Sequence, residues 1–286
     1  MKYLIFFIAI LQFPSIWAQK TPAKEDTTKL KTARLKEVIL TGHTMLGSKF
    51  EIKNKTGSAS YISKEELKKF AYTDINRTLQ TIPGVNIYEE DGFGLRPNIS
   101  LRGTSPERSA KINLMEDGVL IAPAPYSAPA AYYFPTIGRM EALEILKGSS
   151  QIQYGPNTTG GAINMLSAQI PNELSGRVLI AAGNYNSRKT QVALGDSFKN
   201  FGFVTDYFNY NSDGFKALDG GGNTGFDKSD YSAKFRLNTN MDAKTYQSLT
   251  FKIQYSEEKA NETYLGLTDE DFEQNPYRRY RASSKD

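Results

Sequence analysis

The chain contains no cysteine, so it can form no disulfide framework, no thiolate metal site and no cysteine nucleophile. It also has no N-terminal cysteine to carry a lipid anchor. Its single histidine, His43, argues against a histidine-based zinc centre or a Ser-His-Asp triad. The net charge of +4 over 286 residues is too small to indicate a nucleic-acid partner. Long apolar runs are missing as well. The one continuous stretch, Leu4 to Leu11, falls well short of the roughly 20 residues that a membrane-crossing helix needs. Any membrane span must therefore be built from strands, whose alternating pattern is much weaker. Aromatic residues, by contrast, are plentiful. Seventeen Tyr and sixteen Phe against one Trp favour β-structure and interfacial surfaces.

The N-terminus has the layout of an export signal. Lys2 supplies the positive end, the apolar run follows, Pro14 breaks it, and Ala18 precedes a cleavage point, giving a signal peptide over 1–18. Residues 19–42 read as a flexible arm, rich in Lys, Thr and Glu up to Leu35. The arm ends in LKEVILTG, a short exposed strand suited to pairing with the edge of another sheet. Residues 43–170 have the mixed character of a compact α+β domain. Ser63 and Glu66 form a capping box ahead of a short helix. A second helix is expected over about Thr73–Thr81, with Ile75, Leu79 and Ile82 on one face and Pro83-Gly84 as its stop. Short strands follow, including a hairpin turning at Asp117-Gly118.

From 171 to 286 the texture changes to alternation. Five segments carry it: Gly176–Gly183, Ser187–Gly195, Phe201–Asn211, Asp230–Thr239 and Gln247–Tyr255. In the last, Leu249, Phe251, Ile253 and Tyr255 oppose Thr250, Lys252 and Gln254. One apolar and one hydrated face fits a barrel wall, and it also fits a soluble β-sandwich. After the first link the connections alternate short and long, as periplasmic turns and external loops do in bacterial barrels. Five strands are too few for closure, since single-chain bacterial barrels start at about eight. The expectation is thus a piece of a longer protein.

Gly220, Gly222 and Gly225 formally match a nucleotide-binding glycine pattern. No buried strand precedes them and no helix follows, so they read as a loop. Glu89, Glu90 and Asp91 before Gly92 read as a turn.

PGVNI, NISLRG, LMEDGVLIAP, LEILKG and YGPNTTGGAINM, all within Asp74–Met165, together resemble the plug domain of TonB-dependent outer-membrane receptors. EEDGFGLRPNISLRG, the Pro- and Tyr-rich stretch from Ala122 to Phe134, and YLGLTDEDFEQNPYRRYRAS resemble the ferric-citrate branch. The resemblance implies an α+β plug followed by the first antiparallel strands of a transmembrane β-barrel, in the outer membrane of a Gram-negative bacterium. It implies active import of a ferric chelate driven by TonB with ExbB–ExbD, and no catalytic residues. Another siderophore, cobalamin or a glycan remains open as cargo, and a secreted β-rich binding protein as the rival class. The arm leaves no room for a folded signalling domain.

Glu37, Val38, Ile39, Leu40 and Thr41 fall where the TonB box lies. Arg102, Glu144 and Lys147 fall on motifs whose charges lock plug to barrel wall in the family. Ligand candidates are loop residues: Arg96, Arg108, Tyr126, Ser127, Tyr132 and Tyr133 on the plug, with Arg278 and Arg279 in an external loop. Arg binds carboxylates through paired donors and Tyr adds single hydrogen bonds, which suits a compact anionic chelate. Because the chelate already fills the iron's shell, no protein metal ligand and no cofactor are expected.

Overall fold

The structure, a computed structural model, describes residues 44–46, 57–70, 72–121, 133–148, 153–156, 159–261 and 266–279. The export signal, the arm with Glu37–Thr41, and the loop carrying Tyr126, Ser127 and Tyr132 lie outside them.

The first half folds as predicted from turn and cap chemistry. Strand β1 (Ser58–Ile62) leads into helix α1 (Lys64–Phe70). The capping box forms: Ser63 N donates to Glu66 Oε2 at 2.8 Å and Glu66 N to Ser63 Oγ at 3.4 Å. Helix α2 (Ile75–Leu79) is capped by Asp74, whose Oδ1 accepts from Asn76 N at 2.8 Å. It is shorter than the apolar spacing suggested, because the turn into Pro83-Gly84 takes up its last residues; Gly84 has φ +77, which suits glycine. Strands β2 (Val85–Tyr88) and β3 (Asn98–Leu101) pair as a small antiparallel ribbon.

The main sheet uses β4 (Ile112–Glu116), β5 (Val119–Leu120), β6 (Met140–Lys147) and β7 (Gly161–Ser167) in the order β1-β6-β7-β4-β5. The β4–β7 contact is parallel and the others are antiparallel. Ile75, Leu79, Ile99, Ile112, Leu143, Ile145 and Ile163 make one dry core between the helices and this sheet. Each such side chain contributes about 1.5–3 kcal/mol on burial.

The second half is an antiparallel meander of β8 (Ser175–Ala182), β9 (Arg188–Ser197), β10 (Phe201–Ser212), β11 (Phe226–Asn238) and β12 (Ser248–Ala260). Its two faces differ as the alternation predicts. Val178, Ile180, Leu237, Leu249, Phe251 and Ile253 are exposed, whereas Asp206, Phe208, Lys228, Asp230 and Lys234 are buried beneath the first domain. The apolar face is therefore the outer one, the reverse of a soluble sheet packed on a core.

That outer face has a boundary. Tyr207, Tyr231 and Tyr255 are register partners with ring centroids 4.7 and 6.2 Å apart. On one side of this row come Phe203, Phe235 and Phe251, then Phe201, Leu237 and Leu249, over about 20 Å of strand. On the other side the same face turns polar, with Asn209, Ser229 and Glu257, then Asn211, Asp227 and Lys259. An apolar band edged by aromatic rings is how a strand wall meets a bilayer.

Candidate functional site

The first domain docks on the inner face of the meander through charge. The β4–β5 turn places Asp117 at φ +50 and Gly118 at φ +79, a tight reversal that holds Glu116 and Asp117 at the hairpin tip. Arg139, in the 3-10 turn that opens β6, is almost fully buried. Its Nη1 and Nη2 donate to the two Glu116 oxygens at 2.7 and 2.6 Å, and its Nε reaches Asp230 Oδ2 on β11 at 3.3 Å. Lys252 of β12 contacts Glu116 at 2.5 Å and Asp117 at 2.7 Å, and Lys234 of β11 contacts Asp117 at 3.1 Å. With its amide oxygen turned inward, Gln254 accepts from Tyr133 Oη at 2.6 Å and from Arg139 Nη2 at 2.8 Å. Lys228 donates to Phe134 O at 2.6 Å and pairs with Glu258 at 3.1 Å; Arg96 meets the same Glu258 at 2.7 Å.

Burial opposes ionisation of Glu116 and Asp117, but the cations prevail. Arg139, then Lys252, hold Glu116 below its ordinary range; Lys234 and Lys252 do so for Asp117. Burial pushes the Tyr133 phenol up, so it stays a neutral donor. Buried ion pairs of this kind add little net stability over apolar contacts, yet breaking one partner is costly. This part of the interface is thus charged and specific in register.

A second contact lies toward the long loops. Asp91 organises the 91–96 loop by accepting from Phe93 N, Gly94 N and Arg96 N at 2.5, 2.6 and 2.7 Å. The loop projects Phe93 between Phe215 and Phe226, with centroids at 5.4 and 4.8 Å. Gly92 is required here, since a Cβ would come within 2.7 Å of the Phe215 ring. The 213–225 connection is in turn tied to the 266–279 segment: Asp219 N donates to Tyr277 O at 2.8 Å, and Arg279 Nη2 to Gly221 O at 2.7 Å. The glycines of that connection sit in this loop, as their context predicted.

Several sequence candidates have other places than expected. Arg96 and Tyr133 face the wall, bonded to Glu258 and Gln254, and do not sit in an open loop. Arg278 pairs with Asp271 within its own segment, where helix α3 (Asp269–Gln274) forms. Arg108 is exposed at φ +49 after β3, its amide held by Asn98 Oδ1 at 2.8 Å.

The three expected locking residues lie away from these five wall strands. Glu144 is buried inside the domain, where it accepts from Met45 N, Leu46 N and Asn164 Nδ2. Lys147 donates to Pro83 O at 2.8 Å, tying β6 to the α2 stop. Arg102 is exposed beside Gly148. Among the described residues none of these three touches a wall strand. The charged contacts run instead from Glu116, Asp117 and Arg139 to Asp230, Lys234 and Lys252; Asp117 was read only as a turn residue, Lys234 and Lys252 only as hydrated-face residues, and Arg139 not at all. A usable signal was present: a Glu-Asp pair at a hairpin tip and a lysine between the neutral Thr250 and Gln254.

An α+β domain bound by ion pairs to the inside of a strand wall that is apolar outside defines the plugged outer-membrane barrel. The family model for the TonB-dependent receptor plug domain matches residues 51–162. The vitamin B12 transporter BtuB of Photobacterium profundum is 29% identical over 133 residues, 46% of this chain and 21% of that protein. Among solved structures, the unliganded ferric citrate transporter FecA superposes with TM-score 0.66 at 22% identity, over 83% of this chain and 36% of that one. The ferric yersiniabactin receptor FyuA from Yersinia pestis gives 0.56 at 22% identity, over 71% and 32%. The chain spans about a fifth of the curated relative and a third of each structure. Residues 51–162 thus match the plug domain of TonB-dependent receptors, and the strands that follow share the fold of the barrel strands around such plugs.

Proposed function

We propose that this protein imports a ferric chelate, ferric citrate foremost, across the outer membrane, with energy delivered through TonB and ExbB–ExbD. The observation that carries the reading is the charged seat between plug and wall, centred on Arg139, Glu116 and Asp230. A plug held by apolar packing would resist removal; one held by ion pairs in a hydrated lumen exchanges those contacts for water at modest net cost. No nucleotide or ion gradient is available at the outer membrane, so the work must arrive mechanically along the arm. Glu37–Thr41, as a short strand that adds to a partner's sheet edge, is the point of attachment.

On this reading Tyr126, Ser127 and Tyr132, with Arg108, Arg278 and Arg279, supply the hydroxyl and guanidinium donors that suit citrate carboxylates. The iron stays in its chelate throughout, and this chain provides no catalytic step. The likeness to a ferric citrate transporter supports this cargo, and the likeness to a cobalamin transporter supplies the competing one.

Deleting Glu37–Thr41 from the full-length receptor should abolish uptake of radiolabelled ferric citrate by whole cells while surface binding persists. Uptake at the normal rate would refute the energy-coupling reading. Uptake of labelled cobalamin in place of ferric citrate would transfer the same mechanism to the other cargo.

A further inference from the structure

One buried carboxylate serves neither the wall nor the ligand loops. Glu144 lies in the middle of β6 with no exposure. Its Oε2 accepts from Met45 N at 2.7 Å and its Oε1 from Leu46 N at 2.9 Å. Met45 and Leu46 are themselves buried, packed with Met115, Leu146 and Ala162, and Tyr154 Oη donates to Met45 O at 3.5 Å. A short segment that begins three residues after Thr41 is therefore clamped to the plug sheet by a charge and an apolar socket.

The clamp does not end at Glu144. Asn164 is its register partner on β7 and donates Nδ2 to Glu144 Oε2 at 2.8 Å. The other end of the same amide, Oδ1, accepts from Gly118 N at 2.9 Å. Gly118 shares its turn with Asp117, whose carboxylate holds Lys234 and Lys252 of the wall and accepts from Ser167 Oγ at 2.6 Å. A continuous polar path thus runs from the 44–46 segment to the barrel wall through the side chains of Glu144, Asn164 and Asp117.

We propose that Glu144 and Asn164 are a mechanical relay that couples release of the 44–46 segment to release of the plug from Lys234 and Lys252. The inference rests on the reading that force enters through the arm. Two backbone donors on one dry carboxylate are charge-assisted bonds, and losing them leaves a buried charge short of donors. Glu144 then either recovers donors from its neighbour or admits water. The Asn164 amide is a rigid plane, so any shift of Nδ2 toward Glu144 moves Oδ1 away from Gly118. The turn that presents Asp117 loses its brace, and Lys234 and Lys252 lose that carboxylate, Lys252 keeping only Glu116. Glu144 and Asn164 act here as positioning residues.

In the full-length receptor, with every cysteine outside these 286 residues replaced by serine, His43→Cys provides one spin-label site adjacent in sequence to the 44–46 segment, assayed in isolated outer membranes. Weakening the wall with Lys234→Met and Lys252→Met together should raise the mobile fraction of the label on the order of tenfold. In an Asn164→Leu background the same wall substitutions should leave the mobile fraction unchanged. Glu144→Gln should mobilise the label with the wall intact. Heat-modifiable gel migration reports assembly, and Asn164→Ser, polar but too short to bridge both partners, must uncouple the sites as Asn164→Leu does. Equal mobilisation with and without Asn164, an immobile label in Glu144→Gln, or no response to the wall pair would each overturn the relay. The readout needs neither chelate nor energy source, so it stands or falls apart from the identity of the cargo.

Discussion

Asp74 shows how much one side chain can carry. It caps α2, and the apical loop leaves no room behind it: a Cβ on Gly94 would lie 2.1 Å from Asp74 Oδ1. Burial raises its pKa to about 6; the Asn76 N–H opposes the rise, and the Asp91 and Glu89 carboxylates add to it. A carboxyl with a raised folded pKa binds its proton more tightly when folded. Its region is therefore most stable below the ordinary value of 3.8 and loses stability as pH rises toward 6. Glu116 and Asp117 are depressed, so their contribution is complete above the ordinary carboxylate range and falls away only below it. Between pH 5 and 7, Asp74 is then the group among these three that titrates. Amide exchange of α2 and the 91–96 loop should be slower at pH 5 than at pH 7 after correction for the intrinsic rate. Asp74→Asn, which keeps the cap, should abolish that difference; a difference of unchanged size in the variant would remove Asp74 as its source.

Residue roles were the least legible level. Residue type and loop position made Arg96 and Tyr133 plausible ligand contacts, and motif position made Glu144 a plausible lock. Each role depends on a partner far away in sequence: Arg96 on Glu258, Tyr133 on Gln254, Glu144 on Met45 and Leu46. No local pattern encodes those meetings.

Elements were far more legible, because their signals are local. The capping box at Ser63, the Asp117-Gly118 turn and the alternation of β12 were all apparent in the sequence. Strand β11 was cut short at its start for a physical reason. The alternation that defines it disappears where its outer face passes the Tyr207–Tyr231–Tyr255 row, and Asp227 and Ser229 then read as loop. The same row makes a test of the wall's orientation. Ile253 is exposed on the apolar band, whereas the neighbouring Gln254 touches the plug. Ile253→Lys would place an ammonium against lipid at a cost of roughly 2–4 kcal/mol near the midplane. The folded, heat-modifiable fraction in outer membranes should fall sharply for Ile253→Lys and little for Thr250→Lys, on the opposite face. Equal loss in both would contradict the assigned faces.

At the scale of the whole molecule, a plug and a wall are held together by a few buried charges. Arg139→Met should strand Glu116 and Asp230 beside each other with the wall lysines as their remaining charge partners, a loss of roughly 3–5 kcal/mol at the interface. Urea should then release the plug at lower concentration than it unfolds the barrel, detected as protease cleavage in the 111–118 region before barrel migration changes. Arg139→Lys, which keeps the charge but not the fork, should fall between. Coincident transitions in the wild type and in Arg139→Met would show that the seat does not depend on this arginine.

Residue order alone was enough to reveal that the chain has strands with one apolar and one polar face, a capped α+β domain before them, and no route to cysteine or histidine-metal chemistry. Periodicity, capping and turn chemistry act over a few residues, and composition needs no geometry at all. Which face meets lipid, which charges meet across the interface, and that a glutamate near the sheet's centre grips the segment behind the arm were settled only when the chain folded. Those facts are relations between residues about 20 to 140 positions apart, and burial, which converts an ordinary lysine or glutamate into a lock or a latch, exists only once both sides of the contact are in place.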